Sequence, residues 1–61
     1  MLAIERRNQI LEKLQAEKKV LVSDLSQIYD VTEETIRRDL EKLEKSGLII
    51  KSYGGAVLNE S

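Results

Sequence analysis

The apolar positions of this 61-residue chain change their spacing several times, and each change predicts a new element. From residue 2 to about residue 18, apolar side chains recur at helical spacing among charged ones, which predicts a long amphipathic helix. The members of this apolar set are Ile4, Ile10, Leu11 and Leu14. The run at 19–22 is rich in β-branched residues and too short for a helix, so it predicts a minimal strand.

A second helix is expected directly after this strand. Ser23 is the predicted N-cap, because its hydroxyl can accept from a backbone N–H of the first turn. Leu25 and Ile28 then form an inward-facing i, i+3 pair, and the helix should end near Tyr29. Asp30 tolerates the left-handed conformation in which helices often stop.

The third helix has the clearest start signal in the chain. Val31 is expected to enter the core, and Thr32 is a good N-cap. Glu33 and Glu34 in the first turn favour the positive end of the helix dipole. The helix should end just before Gly47, which is a typical C′ residue.

The remaining residues predict a β-hairpin. Strands are expected at 48–50 and 56–58, with a turn at Gly54-Gly55. The element order is therefore helix, strand, helix, tight turn, helix and hairpin. Two short helices joined by a tight turn make a helix-turn-helix, and the hairpin that follows makes it a winged one.

The predicted fold class is mainly α with a small β-hairpin wing. It comprises three helices and a short two- to three-stranded antiparallel sheet. We expect one domain over residues 1–58, with the helix-turn-helix at about 20–39 and the wing at about 48–58. Residues 59–61 are expected to begin a linker.

Composition excludes several kinds of site. The chain has no cysteine and no histidine, so it offers neither a disulfide nor a histidine–cysteine metal site, and no cofactor is expected. No apolar run approaches the length of a membrane span, and the N-terminus is too charged for a signal peptide. The lack of cysteine fits a cytoplasmic protein, and nothing in the sequence indicates an enzyme.

The net charge of −1 is unusual for a nucleic-acid-binding domain, which is expected to be basic. The charges are unevenly distributed, however. Residues 37–58 contain five basic and three acidic side chains, a net charge of +2, so one face could still bind DNA.

The third helix presents arginines opposite its apolar side. At about 100° per residue, Ile36, Leu40 and Leu43 cluster on one face, and Arg38 lies almost opposite them. Such a helix suits the DNA major groove, where the N-terminal residues of a recognition helix reach base edges. The candidates for DNA contact on this helix are Thr35 and Arg38 for bases, Arg37 for phosphate or base, and Lys42 for backbone.

The same helix also allows a simpler interpretation. Glu33 and Arg37 are spaced i, i+4, and so are Glu34 and Arg38, so the outer face could be a solvated surface of weak ion pairs. Asp39 lies nearer the apolar face, and we expect it to be a structural partner of an arginine or a backbone group.

Further candidates lie outside the third helix. The wing offers Lys51, Tyr53 and the Gly54-Gly55 tip, which could lie along the DNA backbone or enter the minor groove. The hairpin could also be an ordinary tight turn with an exposed tyrosine. Ser23 and Thr32, at predicted helix N-termini, could present N–H groups to phosphates. Arg6 and Arg7 could add phosphate contacts, but we favour a solvated surface position for both.

The chain resembles the N-terminal winged helix-turn-helix domain of the DeoR family of bacterial transcriptional regulators. The matching positions are Arg6, Ile10, Leu14, Thr32, the run Thr35-Ile36-Arg37-Arg38-Asp39-Leu40, Leu43, Gly47, Leu48, Ile49 and Gly54-Gly55-Ala56. This frame covers nearly the whole chain, and its spacing is far more specific than a helix-turn-helix pattern alone.

The resemblance implies sequence-specific binding to double-stranded operator DNA, usually within a dimer or tetramer that represses sugar-metabolism genes. It implies DNA contacts from Thr35, Arg37 and Arg38. The family's wing commonly has arginine at the position of Lys51 and often histidine at that of Tyr53. Lysine keeps the charge but loses the bidentate fork of arginine.

The family's effector, a phosphorylated sugar, and its oligomer contacts belong to a C-terminal domain, which we expect to lie outside these 61 residues. A different class of function is also compatible with the even charge balance. In that alternative the winged helix is a protein–protein interaction module without DNA binding. Alternating acidic and basic residues along the third helix would suit a helical partner as well.

Overall fold

The computed structural model describes residues 1–60, which form three helices and three short strands. In chain order these are α1 (Ala3–Glu17), β1 (Lys19–Leu21), α2 (Val22–Tyr29), α3 (Glu33–Lys45), β2 (Ile49–Ser52) and β3 (Gly55–Leu58). The sheet is antiparallel with strand order β1-β3-β2. This is the predicted winged helix-turn-helix, in which α2 and α3 form the helix-turn-helix and β2 and β3 form the wing.

The sheet lies with one face against the helices. Ala56 in the central strand β3 pairs with Val20 of β1 on one side and with Lys51 of β2 on the other. Side chains alternate along a strand, so Ala56 and Val20 face the helices, where both are buried. Ile50 and Val57 face each other on the opposite side of the sheet and are more exposed.

One aliphatic core joins all six elements. Its buried members are Ile10, Leu14, Val20, Val22, Leu25, Ile36, Leu40, Leu43, Ile49 and Ala56. Leu11, Tyr29, Val31 and Leu58 pack against this core and are partly buried. The predicted inward position of Val31 is therefore confirmed, as is the apolar face of α3.

The predicted signals at the ends of α2 and α3 are confirmed. The Thr32 hydroxyl accepts from the backbone N–H of Thr35 at 3.2 Å, so it caps α3. Asp30 has φ 52°, and its left-handed conformation ends α2. Gly47 has φ 84° just after α3, a conformation that glycine adopts without a Cβ clash. Lys18 is left-handed too and ends α1, which its sequence did not indicate.

The prediction that Ser23 caps α2 is wrong. The helix begins one residue earlier, at Val22, and its N-cap is Leu21, which makes no side-chain cap bond. Val22 joins Leu25 and Tyr29 in an i, i+3, i+7 stripe that faces the core. Ile28 lies about 90° from the centre of that stripe, so its predicted inward position is also wrong, and it is 55% exposed.

The apolar set predicted for α1 needs one correction. Ile4 is 55% exposed, whereas Ile10 and Leu14 are fully buried. Ile4 precedes Ile10 by six residues, so it points about 120° away from it around the helix. The positions that precede Ile10 by three and four residues are those of two arginines, Arg7 and Arg6.

The strand boundaries differ from the prediction by one or two residues. The strand predicted at 19–22 ends at Leu21, because Val22 is the first residue of α2. Strand β2 begins at Ile49 rather than at residue 48. The hairpin loop consists of Tyr53 and Gly54, so Gly55 belongs to β3 and not to the turn.

Candidate nucleic-acid interface

The third helix is fixed to the core along one side, which leaves the other side free. Ile36 and Leu40 are 0 and 1% exposed, and they hold α3 against α1, α2 and the sheet. At the N-terminus, the hydroxyls of Thr32 and Thr35 lie 3.0 Å apart, so both take part in the cap. Thr35 is half-buried, at the edge between the packed side and the outer side.

The outer side of α3 presents two arginines, each beside a glutamate one turn earlier. Arg37 donates to Glu33 at 3.0 Å, and Arg38 Nη2 lies 3.5 Å from a Glu34 carboxylate oxygen. The Arg38 side chain is 72% exposed. Exposed pairs of this spacing contribute about 0.3–0.5 kcal/mol each. Both guanidinium groups can therefore turn from glutamate to another anion at small cost.

Lys42 lies further along the same helix and is exposed. Within residues 1–60 its ammonium group has no hydrogen bond or ion pair. At about 100° per residue it lies between the directions of Thr35 and Arg38. The three side chains therefore form one strip along α3.

The wing places an aromatic side chain in full contact with solvent. Tyr53 is completely exposed at the hairpin tip. Gly54 follows it with φ 76°, and its carbonyl accepts from the Val22 N–H at 2.8 Å. Two residues before Tyr53, the Lys51 backbone N–H donates to a Glu44 carboxylate oxygen at 3.0 Å. These two hydrogen bonds attach the wing to α2 and α3.

Gly55 has a packing role that its position in the sequence did not reveal. It is buried beside β1, and a Cβ at this position would lie 2.0 Å from the carbonyl oxygen of Val20. Only glycine allows the two strands to approach this closely. Gly55 is therefore not part of the exposed tip with which it was grouped.

Ser23 is exposed in the first turn of α2, and Thr32 is exposed just before the first turn of α3. Neither helix start is covered by another element at these two hydroxyls. The structure therefore leaves both positions accessible, although only Thr32 has the capping bond.

The most buried charged side chain of residues 1–60 lies on the inner flank of α3. Asp39 is 3% exposed, and its carboxylate accepts from Arg6 Nε at 2.5 Å and from Arg6 Nη2 at 3.1 Å. Arg7 Nη1 lies 3.5 Å from the same carboxylate. The prediction that Asp39 pairs with an arginine is confirmed, whereas the solvated position favoured for Arg6 and Arg7 is wrong.

A signal for this cluster exists in the sequence. Arg6 and Arg7 precede the buried Ile10 by four and three residues, and Asp39 follows the buried Ile36 by three. All three charges thus lie on or beside the apolar stripes of their helices, with opposite signs on the two helices. The hydrogen bond to Asp39 raises the pKa of Arg6 above its ordinary value.

Other kinds of site find little support. Residues 1–60 contain no group of three or more histidine, cysteine or acidic residues placed to hold a metal ion. None of the described helices has both the length and the apolar character needed to cross a membrane. A groove of about 230 Å³ lies between α1, β1 and α2, with Lys13, Glu17 and Asp24 among its lining residues. None of its lining comes from α3 or the wing.

Comparison with known proteins agrees with this geometry. The family model of the DeoR-like helix-turn-helix domain matches residues 6–61. The chain is 54% identical over 57 residues to the uncharacterized HTH-type transcriptional regulator YulB of Bacillus subtilis, covering 93% of this chain and 22% of that protein. It is 47% identical over 57 residues to a putative aga operon transcriptional repressor of Escherichia coli O157:H7, covering 93% of this chain and 21% of that protein.

The HTH-type transcriptional regulator GolR of Listeria innocua is 49% identical over 61 residues, covering all of this chain and 24% of that protein. The chain thus spans between a fifth and a quarter of the length of these three relatives. No solved structure matches it. The chain therefore belongs to the DeoR-like helix-turn-helix domains, the DNA-binding domains of bacterial transcriptional regulators.

Proposed function

We propose that this chain is the operator-reading domain of a repressor of sugar-metabolism genes. The observation that carries the proposal is the outer face of α3, where Arg37 and Arg38 are held only by exposed ion pairs. Among the similar proteins, one of Escherichia coli is named a putative galactitol utilization operon repressor and one of Haemophilus influenzae an L-fucose operon activator. The similar proteins therefore include an activator as well as repressors. We propose repression because of the relatives that are named repressors.

In the proposed complex, α3 enters the major groove. Thr35 and Arg38 reach base edges, because they lie in the N-terminal half of the helix on its outer side. The Arg38 fork matches the two acceptors of guanine. Arg37, on the flank of the helix, takes a phosphate or a base, and Lys42 takes the DNA backbone.

The wing and the helix starts supply the remaining proposed contacts. Lys51, Tyr53 and Gly54 lie along the DNA backbone beside the groove that α3 occupies. Ser23 and Thr32 present the first turns of α2 and α3 to phosphates, which helix N-termini attract. Gly55 makes none of the proposed DNA contacts, because it is buried against β1.

The whole regulator is proposed to be a cytoplasmic homo-oligomer whose C-terminal domain binds a phosphorylated sugar. Asn59, predicted to begin the linker, donates its backbone N–H to the Leu48 carbonyl and its side-chain amide to the Gly47 carbonyl. These bonds attach Asn59 to the base of the wing, so we place the start of the linker after it. Ser61 lies outside the described residues.

The test begins with the chain itself and a pool of random-sequence duplexes. Repeated selection should enrich one sequence, and fluorescence anisotropy should then show tighter binding to the selected duplex than to its scrambled version. Binding should weaken steeply between 50 and 200 mM salt, because each phosphate contact releases counterions. The absence of an enriched sequence, together with no binding to any duplex at 50 mM salt, would favour the protein-interaction module.

Arg38→Lys is the matched variant for base reading. It keeps the positive charge and loses the bidentate fork, so the salt dependence should stay while discrimination between the selected and scrambled duplexes falls. Arg38→Ala should cost about 1–3 kcal/mol on the selected duplex. If both variants discriminate as well as the parent does, Arg38 does not read a base.

A further inference from the structure

The cluster around Asp39 contains more positive charge than its carboxylate can neutralise. Two guanidinium groups, of Arg6 and Arg7, meet one carboxylate, which leaves a net charge of +1. Glu5, the nearest acid along α1, instead accepts from the backbone N–H of Leu2 at 2.8 Å. Among residues 1–60, Arg7 therefore forms no ion pair with an acidic side chain of α1.

The two arginines are bound very differently. Arg6 donates from two nitrogens to the two oxygens of Asp39, which is the strong bidentate arrangement. Arg7 has one contact, from Nη1 at 3.5 Å, to an oxygen that Arg6 already occupies. At this distance little of a hydrogen bond remains. Arg6 thus satisfies the carboxylate, and Arg7 is the surplus cation.

The unused donors of Arg7 reach solvent. A guanidinium group carries five N–H donors, and this one uses a single nitrogen within residues 1–60. No buried side-chain nitrogen or oxygen among those residues lacks a partner. The other two Arg7 nitrogens have no partner, so they must be accessible, which agrees with a side chain that is 19% exposed.

The position of Asp39 places Arg7 beside the proposed DNA-contacting strip. Residues three and four apart are neighbours on a helix surface, so Asp39 adjoins Thr35 on one side and Lys42 on the other. A guanidinium held at Asp39 therefore lies at the margin of the strip formed by Thr35, Arg38 and Lys42. It adds a cation from α1 to the two cations of that strip, Arg38 and Lys42.

We propose that Arg7 is a DNA phosphate contact, contributed by α1 and held in place by Asp39, while Arg6 has the structural role. The phosphate takes the free donors of Arg7, and the carboxylate keeps the Arg6 fork throughout. This inference rests on the proposed function, since it adds a residue to the same interface. It also divides two adjacent arginines into one that supports the helix and one that binds DNA.

The test measures how binding to one fixed 20-base-pair duplex depends on salt, for the parent chain and three variants. Arg7→Gln should lower the slope of log K against log salt by about 0.9, the value for one phosphate contact. When the salt concentration rises from 50 to 200 mM, the affinity of the parent should therefore fall by a factor about 3.5 times larger than that for Arg7→Gln. Arg7→Lys should restore the slope, because lysine also neutralises a phosphate.

Lys13→Gln is the matched control, because it removes a charge from the same helix at a residue paired with Glu17. Its slope should equal that of the parent. A parent-like slope for Arg7→Gln, or an equal loss for Lys13→Gln, would overturn the proposal. A parent that does not bind would instead overturn the proposed function, and with it this inference.

A second measurement uses the unmutated chain and does not depend on the folding of any variant. The side-chain Nε–Hε resonance of Arg7 should shift when the same duplex is added, and it should return when the salt concentration is raised. The resonance of Arg6 should shift less, because its Nε–H remains bonded to Asp39. An Arg7 resonance that the bound duplex leaves unchanged would contradict the contact, whatever the variants show.

Discussion

Arginine–carboxylate pairs occur in two regions of α3, and the surroundings give them opposite roles. On the inner flank, Arg6 of α1 pairs with Asp39, and the two side chains are 12 and 4% exposed, respectively. On the outer face, Arg38 meets Glu34 with side chains that are 72 and 65% exposed. The chemical groups are the same in both regions, but the inner pair is bidentate and largely shielded from water, whereas the outer pair has one longer contact and is open to solvent.

Water determines what each pair can do. An exposed pair competes with solvent and contributes little, so its arginine remains available for phosphates and bases. If a buried pair loses one partner, the other charge stays unpaired in the protein interior, where water stabilises it poorly. Separating the two helices that carry such a pair is therefore costly, so the pair holds them together. The comparison shows that the arginines of this fold cannot be assigned to DNA or to structure by residue type.

The largest expected effect is that of removing the buried carboxylate. Asp39→Ala should cost about 3 kcal/mol of unfolding free energy, because the guanidinium groups of Arg6 and Arg7 lose the carboxylate that both contact. A domain of this size is expected to have a total stability of roughly 3–9 kcal/mol, so much of the chain could unfold. Urea denaturation followed by circular dichroism measures the loss.

The matched control for Asp39→Ala is Glu41→Ala, a carboxylate removed from the exposed side of the same helix. It should change stability by less than about 0.5 kcal/mol. If the two variants unfold at the same urea concentration, the buried pair is no more important than a surface charge.

A smaller effect on stability is expected from removal of the N-terminal cap of α3, the helix that carries both regions. Thr32→Ala removes the acceptor for the Thr35 N–H and should cost about 1 kcal/mol. Ser23→Ala is the control, because α2 begins before it and Ser23 makes no capping bond. Thermal melts of the two variants should differ by several degrees. Equal melts would mean that the cap contributes nothing measurable.

The smallest effect on stability is expected on the outer face. Glu34→Gln removes the exposed partner of Arg38 and should cost no more than about 0.5 kcal/mol. Binding to DNA should become tighter, because a negative charge near the phosphates is lost. At about 6 Å in water one such repulsion is worth about 0.7 kcal/mol, or about threefold in affinity. Weaker binding would show that Glu34 itself contacts DNA.

Local signals predicted most of the fold. The Thr32 cap, the left-handed Asp30 and Gly47, and the apolar stripe of α3 each depend on residues within one or two turns of each other. Such patterns can be read directly from the chain, and together they predicted the order of elements. The exposed arginines of the candidate site were also recognisable, because an outer helical face needs only the periodicity of its own helix.

The errors occurred where a second element had to be known. Ile28 is exposed because Val22 joined α2 and changed which side of that helix faces the core. Gly55 is buried because β1 lies against it, not because of its neighbours in the hairpin. Helical periodicity alone cannot supply either fact, since each depends on contacts between separate elements.

The sequence by itself determined the three helices, the Thr32 cap, the wing and the arginine face of α3, because these follow from short-range periodicity and backbone preference. Only the tertiary structure decided that Arg6 pairs with Asp39, a residue 33 positions away, and that Arg7 keeps N–H donors without a partner among residues 1–60. The physical reason is that the strength of an ion pair depends on how much water the fold excludes from it. That exclusion is a property of packed elements, which no single stretch of sequence contains.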